Sequence, residues 1–168
     1  MAGRRRKKAV RVIHQSVGPL PLRLADRFVG RRLVFSDASR QRHGGLAVVL
    51  FGEPDEAPLV ATRTVPVVGS NELELQAALF GLQQAHRHFP GEPFALFSDN
   101  QDAVIRLDRA RLHGLAQDPA LAGMFGDLQI AGVLDHAALC WVPGHAGCRG
   151  NTLADLHARA AACRGGAP

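Results

Sequence analysis

The sequence predicts an α/β domain built on a mixed β-sheet, and two patterns lead to that fold class. The first is a set of three β-forming runs joined by short turns, which predicts an antiparallel meander over 33–37, 44–51 and 59–68. The second is an alternation of helical and β-forming segments along the rest of the chain. That alternation predicts helices at 71–88, 100–112, 118–131 and 152–163, with strands at 94–98 and 137–142.

Local signals set the ends of two of these helices. In the helix at 71–88, Leu75, Leu79 and Leu82 form one apolar face, and the Pro-Gly pair at 90–91 stops it. Asp118 followed by Pro119 is typical of a helix start, because Asp caps free N–H groups and Pro suits the first helical position.

The positive charge of the chain is concentrated at its front end. Residues 1–32 carry ten Arg or Lys and one Asp, for a net +9, whereas the rest carries ten basic and fourteen acidic residues, for −4. We therefore expect a basic N-terminal extension at 1–30, partly disordered, a folded domain at 31–164 and a flexible tail at 165–168. Within the extension we expect a disordered arm at 1–8, a short strand at 9–13 and a helical turn at 22–28. The arm either aids solubility, binds phosphates or serves as a targeting signal.

Composition excludes a membrane span and a disulfide framework. Hydrophobic residues make up 46% and charged residues 21% of the chain, and no apolar run is long enough to cross a bilayer. The three cysteines have no metal-finger spacing, so we expect reduced thiols in a cytoplasmic protein, a monomer by default. A pair between Cys148 and Cys163 would require their Cα atoms to come close.

Four carboxylates lie at the ends of predicted elements or after a Gly-rich loop. Asp37 and Asp99 close two apolar strands, Glu74 lies in the first turn of the helix at 71–88, and Asp155 follows His145 by ten residues. A single such carboxylate is more typical of a turn or a helix cap than of catalysis. Four of them on separate elements could instead converge on one point.

Four ordered motifs around these residues resemble the type 1 ribonuclease H family. They are Ser-Asp-Ala-Ser at 36–39, Asn-x-x-Glu-Leu-x-Ala-Ala at 71–78, Ser-Asp-Asn-Gln at 98–101, and Trp-Val-x-Gly-His-Ala-Gly-x-x-x-Asn-x-x-Ala-Asp at 141–155. The likeness runs from about residue 31 to about residue 162. It implies the ribonuclease H-like fold, a five-stranded sheet in the order 3-2-1-4-5 with helices on both faces.

The resemblance also implies an activity and a set of site residues. It implies an endoribonuclease that hydrolyses the RNA strand of RNA/DNA hybrids in DNA replication, leaving 5′-phosphate and 3′-hydroxyl ends. Asp37, Glu74, Asp99 and Asp155 would hold two Mg²⁺ ions, with Mn²⁺ as a substitute and Asp37 contacting both ions. His145 would transfer protons. The candidate contacts to the hybrid are Ser39, Arg40, Ser70, Asn71, Asn100 and Gln101.

Several residues of these motifs have an ordinary structural interpretation as well. Asn71 and Glu74 have the spacing of a capping box with Asn71 as the cap. Asn100 is equally suited to cap the helix that follows it. We expect Trp141 to pack in the core.

The chain departs from the family pattern in three places. Ala38 replaces the glycine that usually follows the first aspartate, and Glu72 stands where many relatives have a basic or amide residue. Between 99 and 145 there is no cluster of Lys and Trp, so the basic handle helix of bacterial relatives is missing. Our hypothesis is that the +9 front end replaces that handle.

Other functions remain open at this stage. The fold also hosts junction resolvases, exonucleases and transposases, and a detached reverse-transcriptase domain would have the same motifs. A catalytically silent hybrid-binding protein would be expected to lack one of the acids, yet all four are present. An unrelated α/β domain with chance aspartates is the last alternative.

Overall fold

One mixed β-sheet forms the centre of the protein, whose computed structural model describes residues 16–144 and 147–164. Its strands lie in the order β3-β2-β1-β4-β5, and β1 pairs antiparallel with β2 but parallel with β4. The predicted fold class and strand order are thereby confirmed. The strands are β1 (Arg32–Arg40), β2 (Gly44–Phe51), β3 (Leu59–Val65), β4 (Phe94–Ser98) and β5 (Ala137–Trp141).

Helices cover both faces of the sheet. They are α1 (Leu22–Ala25), α2 (Ser70–His88), α3 (Gln101–His113), α4 (Pro119–Leu128) and α5 (Arg149–Cys163), with short 3₁₀ turns at Asp26–Phe28, Leu115–Gln117 and Val133–His136. Along β1 the side chains alternate: Val34 packs in the cluster that contains α2 residues, and Phe35 packs in the cluster that contains Ala154 of α5. No helix in the described part of the chain has the length and apolar run that a bilayer crossing needs.

The ends of several elements differ from the prediction for local reasons. β3 stops at Val65 rather than at residue 68, because Pro66 has no N–H to donate to the ladder. α4 stops at Leu128, since Gln129 adopts a left-handed conformation with φ 56°. α5 begins three residues earlier than predicted, at Arg149.

Two glycines let α5 lie directly on the central strands. A Cβ at Gly150 would overlap the ring of Phe35 on β1. A Cβ at Gly45 on β2 would overlap the backbone of Ala158 and Ala162 on α5. The helix therefore approaches the sheet more closely than side chains would allow.

The chain before β1 packs against the domain from Ser16 onward. Leu20 and Phe28 are buried, and the ring of Phe28 meets that of Phe97 edge to face at 4.9 Å. The helical turn predicted at 22–28 is present as α1 and the following 3₁₀ turn. The predicted arm at 1–8, the strand at 9–13, His145 and the tail at 165–168 lie outside the described residues. The division into an extension and a domain stays a prediction.

All three cysteines are free thiols. Cys148 is buried, whereas Cys163 is exposed at the end of α5. The Cys148–Cys163 pair that the sequence left open is therefore not formed.

Candidate active site

Three carboxylates from three elements meet where β1 and β4 separate. The parallel pairing of these strands ends at Phe35 and Phe97, so Asp37 and Asp99 both lie just beyond it. Glu74 reaches the same point from the second turn of α2. Carboxylate oxygens of Asp37, Glu74 and Asp99 all lie within 4.8 Å of one another.

Burial makes this cluster electrostatically unfavourable. Burial raises the pKa of the Asp37 carboxyl, and the charges of Glu74 and Asp99 raise it further. Burial likewise raises the pKa of Glu74, with the charge of Asp99 as the next cause. The backbone N–H of Ala38 lowers the pKa of both carboxyls and so opposes the rise. The cluster is therefore short of positive charge.

The donor set fits a divalent cation that takes oxygen ligands. The three residues offer only carboxylate oxygens, the ligand type that Mg²⁺ and Mn²⁺ prefer. Glu74 Oε2 is buried and has no hydrogen-bond partner among the described residues. An uncompensated buried carboxylate oxygen of this kind indicates a missing partner.

Asp155 approaches the cluster from α5 but is not one of its three members. It is half-buried and forms an ion pair with Arg159, one turn further along the helix, with Oδ2 and Nη2 3.1 Å apart. Its negative charge acts on Glu74. The fourth predicted carboxylate thus lies beside the cluster, on an element that packs against β1.

Trp141 holds the backbone of Asp99, a role that the sequence did not suggest. The indole Nε1–H donates to the main-chain carbonyl of Asp99 over 3.0 Å. Trp141 was expected in the core, and this is wrong: 43% of it is exposed. It ends the edge strand β5, so its ring extends past the sheet and the N–H finds a partner at the site. A Cβ at Gly144 would lie 3.5 Å from Asp99 Oδ2, so a larger residue there would be in van der Waals contact with this carboxylate.

A short amide chain links the start of α2 to the start of α3. Asn100 Nδ2 donates to Asn71 Oδ1 at 3.0 Å, and Asn71 Nδ2 donates to Asp102 Oδ2 at 3.3 Å. Asn100 Oδ1 accepts from the N–H of Ala103, which confirms Asn100 as a helix cap. Asn71 as the cap of α2 is wrong, because the helix begins earlier and its N-cap is Gly69. Glu74 is therefore not part of a capping box.

The remaining predicted contacts lie around this amide chain or at the end of β1. Ser70, Asn71 and Gln101 are exposed at the starts of α2 and α3. Arg40 is exposed at the end of β1, three residues past Asp37, and Ser39 beside it is half-buried. Glu72, one of the departures from the family pattern, is exposed on α2 and outside the carboxylate cluster.

The fold and the carboxylate cluster together define a nuclease of the ribonuclease H-like class, in which acids from a central strand and its neighbours meet at one edge. The chain belongs to the RNase H family, whose family model matches residues 30–163. This confirms the resemblance drawn from the four motifs, and with it a ribonuclease of the RNase H family. No curated protein matches the chain.

Solved structures with the same fold share little sequence with this chain. Prototype foamy virus protease-reverse transcriptase matches with a TM-score of 0.62 and 16% identity over 82% of this chain, which spans only 21% of that chain. LC9-RNase H1, described as a type 1 RNase H with the type 2 active-site motif, matches with a TM-score of 0.59 and 22% identity. The match covers 79% of this chain and 72% of that one. LC11-RNase H1 was isolated from compost by a metagenomic approach and solved with an RNA/DNA hybrid. It matches with a TM-score of 0.55 and 14% identity, over 78% of this chain and 99% of that one.

Proposed function

We propose that this chain is an endoribonuclease that hydrolyses the RNA strand of RNA/DNA hybrids with two metal ions, leaving 5′-phosphate and 3′-hydroxyl ends. The observation that carries the proposal is the convergence of Asp37, Glu74 and Asp99 from three elements onto one point. The four family motifs and the family match support the same activity.

The metal ligands would be Asp37, Glu74 and Asp99, joined by Asp155 from α5. Mg²⁺ is the expected ion, with Mn²⁺ as a substitute, and Asp37 is the residue expected to contact both ions. Bound ions would supply a nucleophile at neutral pH and stabilise charge on the leaving 3′-oxygen.

The protein itself orients the carboxylates before any ion or substrate arrives. Asp37 is only 2% exposed, so its rotamer is fixed by packing. The backbone N–H of Ala38 favours the charged form of both Asp37 and Glu74. Trp141 holds the main-chain carbonyl of Asp99 from the other side. Such preorganisation means that little ordering is left for the reaction step.

The hybrid would bind across the starts of α2 and α3. The exposed Ser70, Asn71 and Gln101 and the half-buried Asn100 lie there, and such amide and hydroxyl groups suit the 2′-hydroxyls of an RNA strand. Ser39 and Arg40 would contact the backbone beyond Asp37. The RNA/DNA hybrid bound to LC11-RNase H1 supports this class of substrate. We assign His145 to proton transfer, and a cytoplasmic monomer remains our expectation.

The test is cleavage of an end-labelled RNA/DNA hybrid beside matched RNA/RNA and DNA/DNA duplexes, with Mg²⁺, Mn²⁺ or EDTA. We expect cleavage of the hybrid alone and only with metal. Asp99→Asn is expected to abolish it, whereas Asp127→Asn, an exposed acid on α4, is expected to leave it intact.

Three results would contradict the proposal. Cutting of all three duplexes would indicate a related nuclease with another substrate. Binding of the hybrid without cleavage under either metal would indicate a silent binding protein. Cleavage by Asp99→Asn at the wild-type rate would mean that the carboxylate cluster takes no part in the reaction.

A further inference from the structure

Residues 16–20, which we call the N-terminal clamp, are hydrogen-bonded to the segment that opens α5. The N–H of Ser16 donates to the carbonyl of Gly147 at 2.8 Å. The N–H of Arg149 donates to Ser16 Oγ at 3.2 Å, and its guanidinium donates to the carbonyl of Val17 at 3.3 Å. At the clamp's far end, the carbonyl of Pro19 accepts from the N–H of Gly150 at 3.0 Å and from the Cys148 thiol at 3.3 Å.

These bonds replace a cap that α5 does not have. The N-cap residue of α5 is Cys148, and its side chain caps no N–H group. The first turn of any helix has N–H groups without a partner inside the helix. Here the first two of them, on Arg149 and Gly150, are satisfied by Ser16 and Pro19 from more than a hundred residues earlier in the chain. The clamp therefore caps α5 from outside.

The clamp is anchored in the core at its other end. Leu20 is 5% exposed and belongs to a cluster with Phe28, Phe35 and Phe97. Because Leu20 is fixed in this way, the polar groups of residues 16–19 are held at a set distance from the sheet.

The start of α5 matters for the carboxylates because of where the helix lies. Gly150 packs against the ring of Phe35, which is two residues before Asp37 on β1. Asp155 lies in the second turn of α5, and its charge acts on Glu74. Gly147, the acceptor for Ser16, is two positions after His145 in the sequence. A shift of this helix start would therefore move Asp155 relative to Asp37 and Glu74.

We propose that the N-terminal clamp positions the start of α5, and with it Asp155, for the reaction, and that Ser16 is a positioning residue. This inference rests on the proposed function for its catalytic consequence. Ser16 contacts neither the carboxylate cluster nor the expected substrate groups, and it acts through Arg149.

The experiment uses the full chain with Ser16→Ala, the conservative Ser16→Thr, and Val29→Ala as a control that is exposed on the same N-terminal segment. Backbone amide hydrogen exchange is measured without metal or substrate. We expect Ser16→Ala to speed exchange at Arg149 and Gly150 about fivefold or more, as the loss of one helix cap predicts. Exchange in β1 and α2 should not change, and Ser16→Thr should restore protection.

Kinetics on the hybrid then test the catalytic consequence. We expect Ser16→Ala to lower kcat about two- to tenfold with KM unchanged, because misplacement of a catalytic group affects the reaction step rather than binding. Ser16→Thr should recover kcat, and Val29→Ala should equal the wild type.

The clamp proposal is overturned if exchange at Arg149 is unchanged in Ser16→Ala, or if exchange rises throughout the protein, as a general loss of stability would cause. Faster local exchange with an unchanged kcat would also overturn it, since the cap would then have no positioning role. A wild type that cuts no hybrid would contradict the proposed function, whereas the exchange result would still decide whether the clamp holds α5.

Discussion

At the scale of single residues, the carboxylate cluster lowers the stability of the free protein, as functional sites often do. Asp37 is almost fully buried beside two further acids, and Glu74 Oε2 lacks a hydrogen-bond partner among the described residues. Buried like charges cost free energy unless a cation lies between them. Groups that destabilise the free protein in this way are typical of functional sites.

Asp37→Asn is therefore expected to stabilise the protein in EDTA. The amide keeps the shape of the side chain and does not titrate. The buried Asp37 carboxyl, whose pKa is raised to about 10, must instead take up a proton on folding at pH 8, so we expect the amide to add about 0.5–2 kcal/mol to the free energy of unfolding. Urea unfolding at pH 8 measures the gain, with the exposed Asp127→Asn as the control. A loss of stability in Asp37→Asn would mean that this carboxylate makes favourable contacts in the free protein.

Single residues also show what sequence motifs could not predict about the site. The acids were predictable because each one stands in one of the four family motifs. Their places within the elements were less so, since β1 continues to Arg40 beyond Asp37 and Asp155 lies in the second turn of α5. The bond from Trp141 to Asp99 was not, since it joins residues 42 positions apart and depends on the edge position of β5. The prediction of Asn71 as a cap fails because local sequence does not reveal that α2 begins at Ser70 with Gly69 as its N-cap.

At the scale of elements, α5 depends on close backbone contact with the sheet. Gly150 and Gly45 leave no room for a methyl group between the helix and β1 or β2. In a close-packed interior, adding even one methyl group at such a contact changes the stability of the protein.

Gly150→Ala is expected to destabilise the protein by about 1–3 kcal/mol, as overpacking against the Phe35 ring requires the helix or the ring to shift. The matched control is Gly123→Ala on α4, where a Cβ would enter open space. That change should stabilise by about 0.4–1 kcal/mol through the unfolded state. Thermal unfolding of the two variants checks the contrast, and equal effects would contradict the close packing of α5.

The start of α4 gives a second prediction at this scale. Two hydrogen bonds of 2.7 and 2.9 Å from Arg106 hold the pKa of Asp118 at about 2, below its ordinary value. A lowered carboxyl pKa stabilises the fold above the ordinary value near 4, and the stabilisation is lost as the pH falls toward 2. Asp118 also caps the N–H of Leu121, and an Asn would retain that cap.

Asp118→Asn is accordingly expected to cost about 0.5–1 kcal/mol at pH 6, where the ion pair is complete. Chemical unfolding at pH 6 and pH 2.5 should show this deficit shrinking as the wild-type carboxyl becomes protonated. A deficit of the same size at both values would mean that the ion pair contributes nothing.

Elements with strong periodicity were predicted closely, although several of their ends were not. The bounds of β2 and β4 agree with the prediction, because apolar runs between turn residues define them. The start of α5 could not be predicted, since its cap comes from Ser16 and Pro19 rather than from a neighbouring side chain. Interactions between distant parts of the chain set such ends, and local pattern does not contain them.

At the scale of the whole molecule, charge is divided between the front of the chain and the rest. The first 32 residues carry +9, while the remainder, which contains the carboxylate cluster, carries −4. The clamp, residues 16–20 of that first segment, is hydrogen-bonded to Gly147 in the loop that follows β5. The five basic residues at 4–8 give the arm the charge that a phosphate-binding role would need.

Replacing residues 4–8 with Gln tests the arm without disturbing the clamp, which deletion of residues 1–30 would remove. We expect the KM for the hybrid to rise and the slope of log KM against log salt to fall by about 0.9 for each phosphate that the arm no longer neutralises. A variant with Lys at all five positions keeps the charge and should equal the wild type. Unchanged KM and salt dependence would leave the arm without a role in binding.

The most direct test of the central claim compares two glutamates near the start of α2. Glu74 belongs to the carboxylate cluster, whereas Glu72 is exposed and outside it. We expect Glu74→Gln to lower Mg²⁺-dependent cleavage of the hybrid more than about 100-fold, since even outer partners of metal ligands account for 10- to 100-fold. Glu72→Gln should cut at the wild-type rate or somewhat faster. Equal activity of the two variants would contradict a metal-dependent nuclease built on Asp37, Glu74 and Asp99.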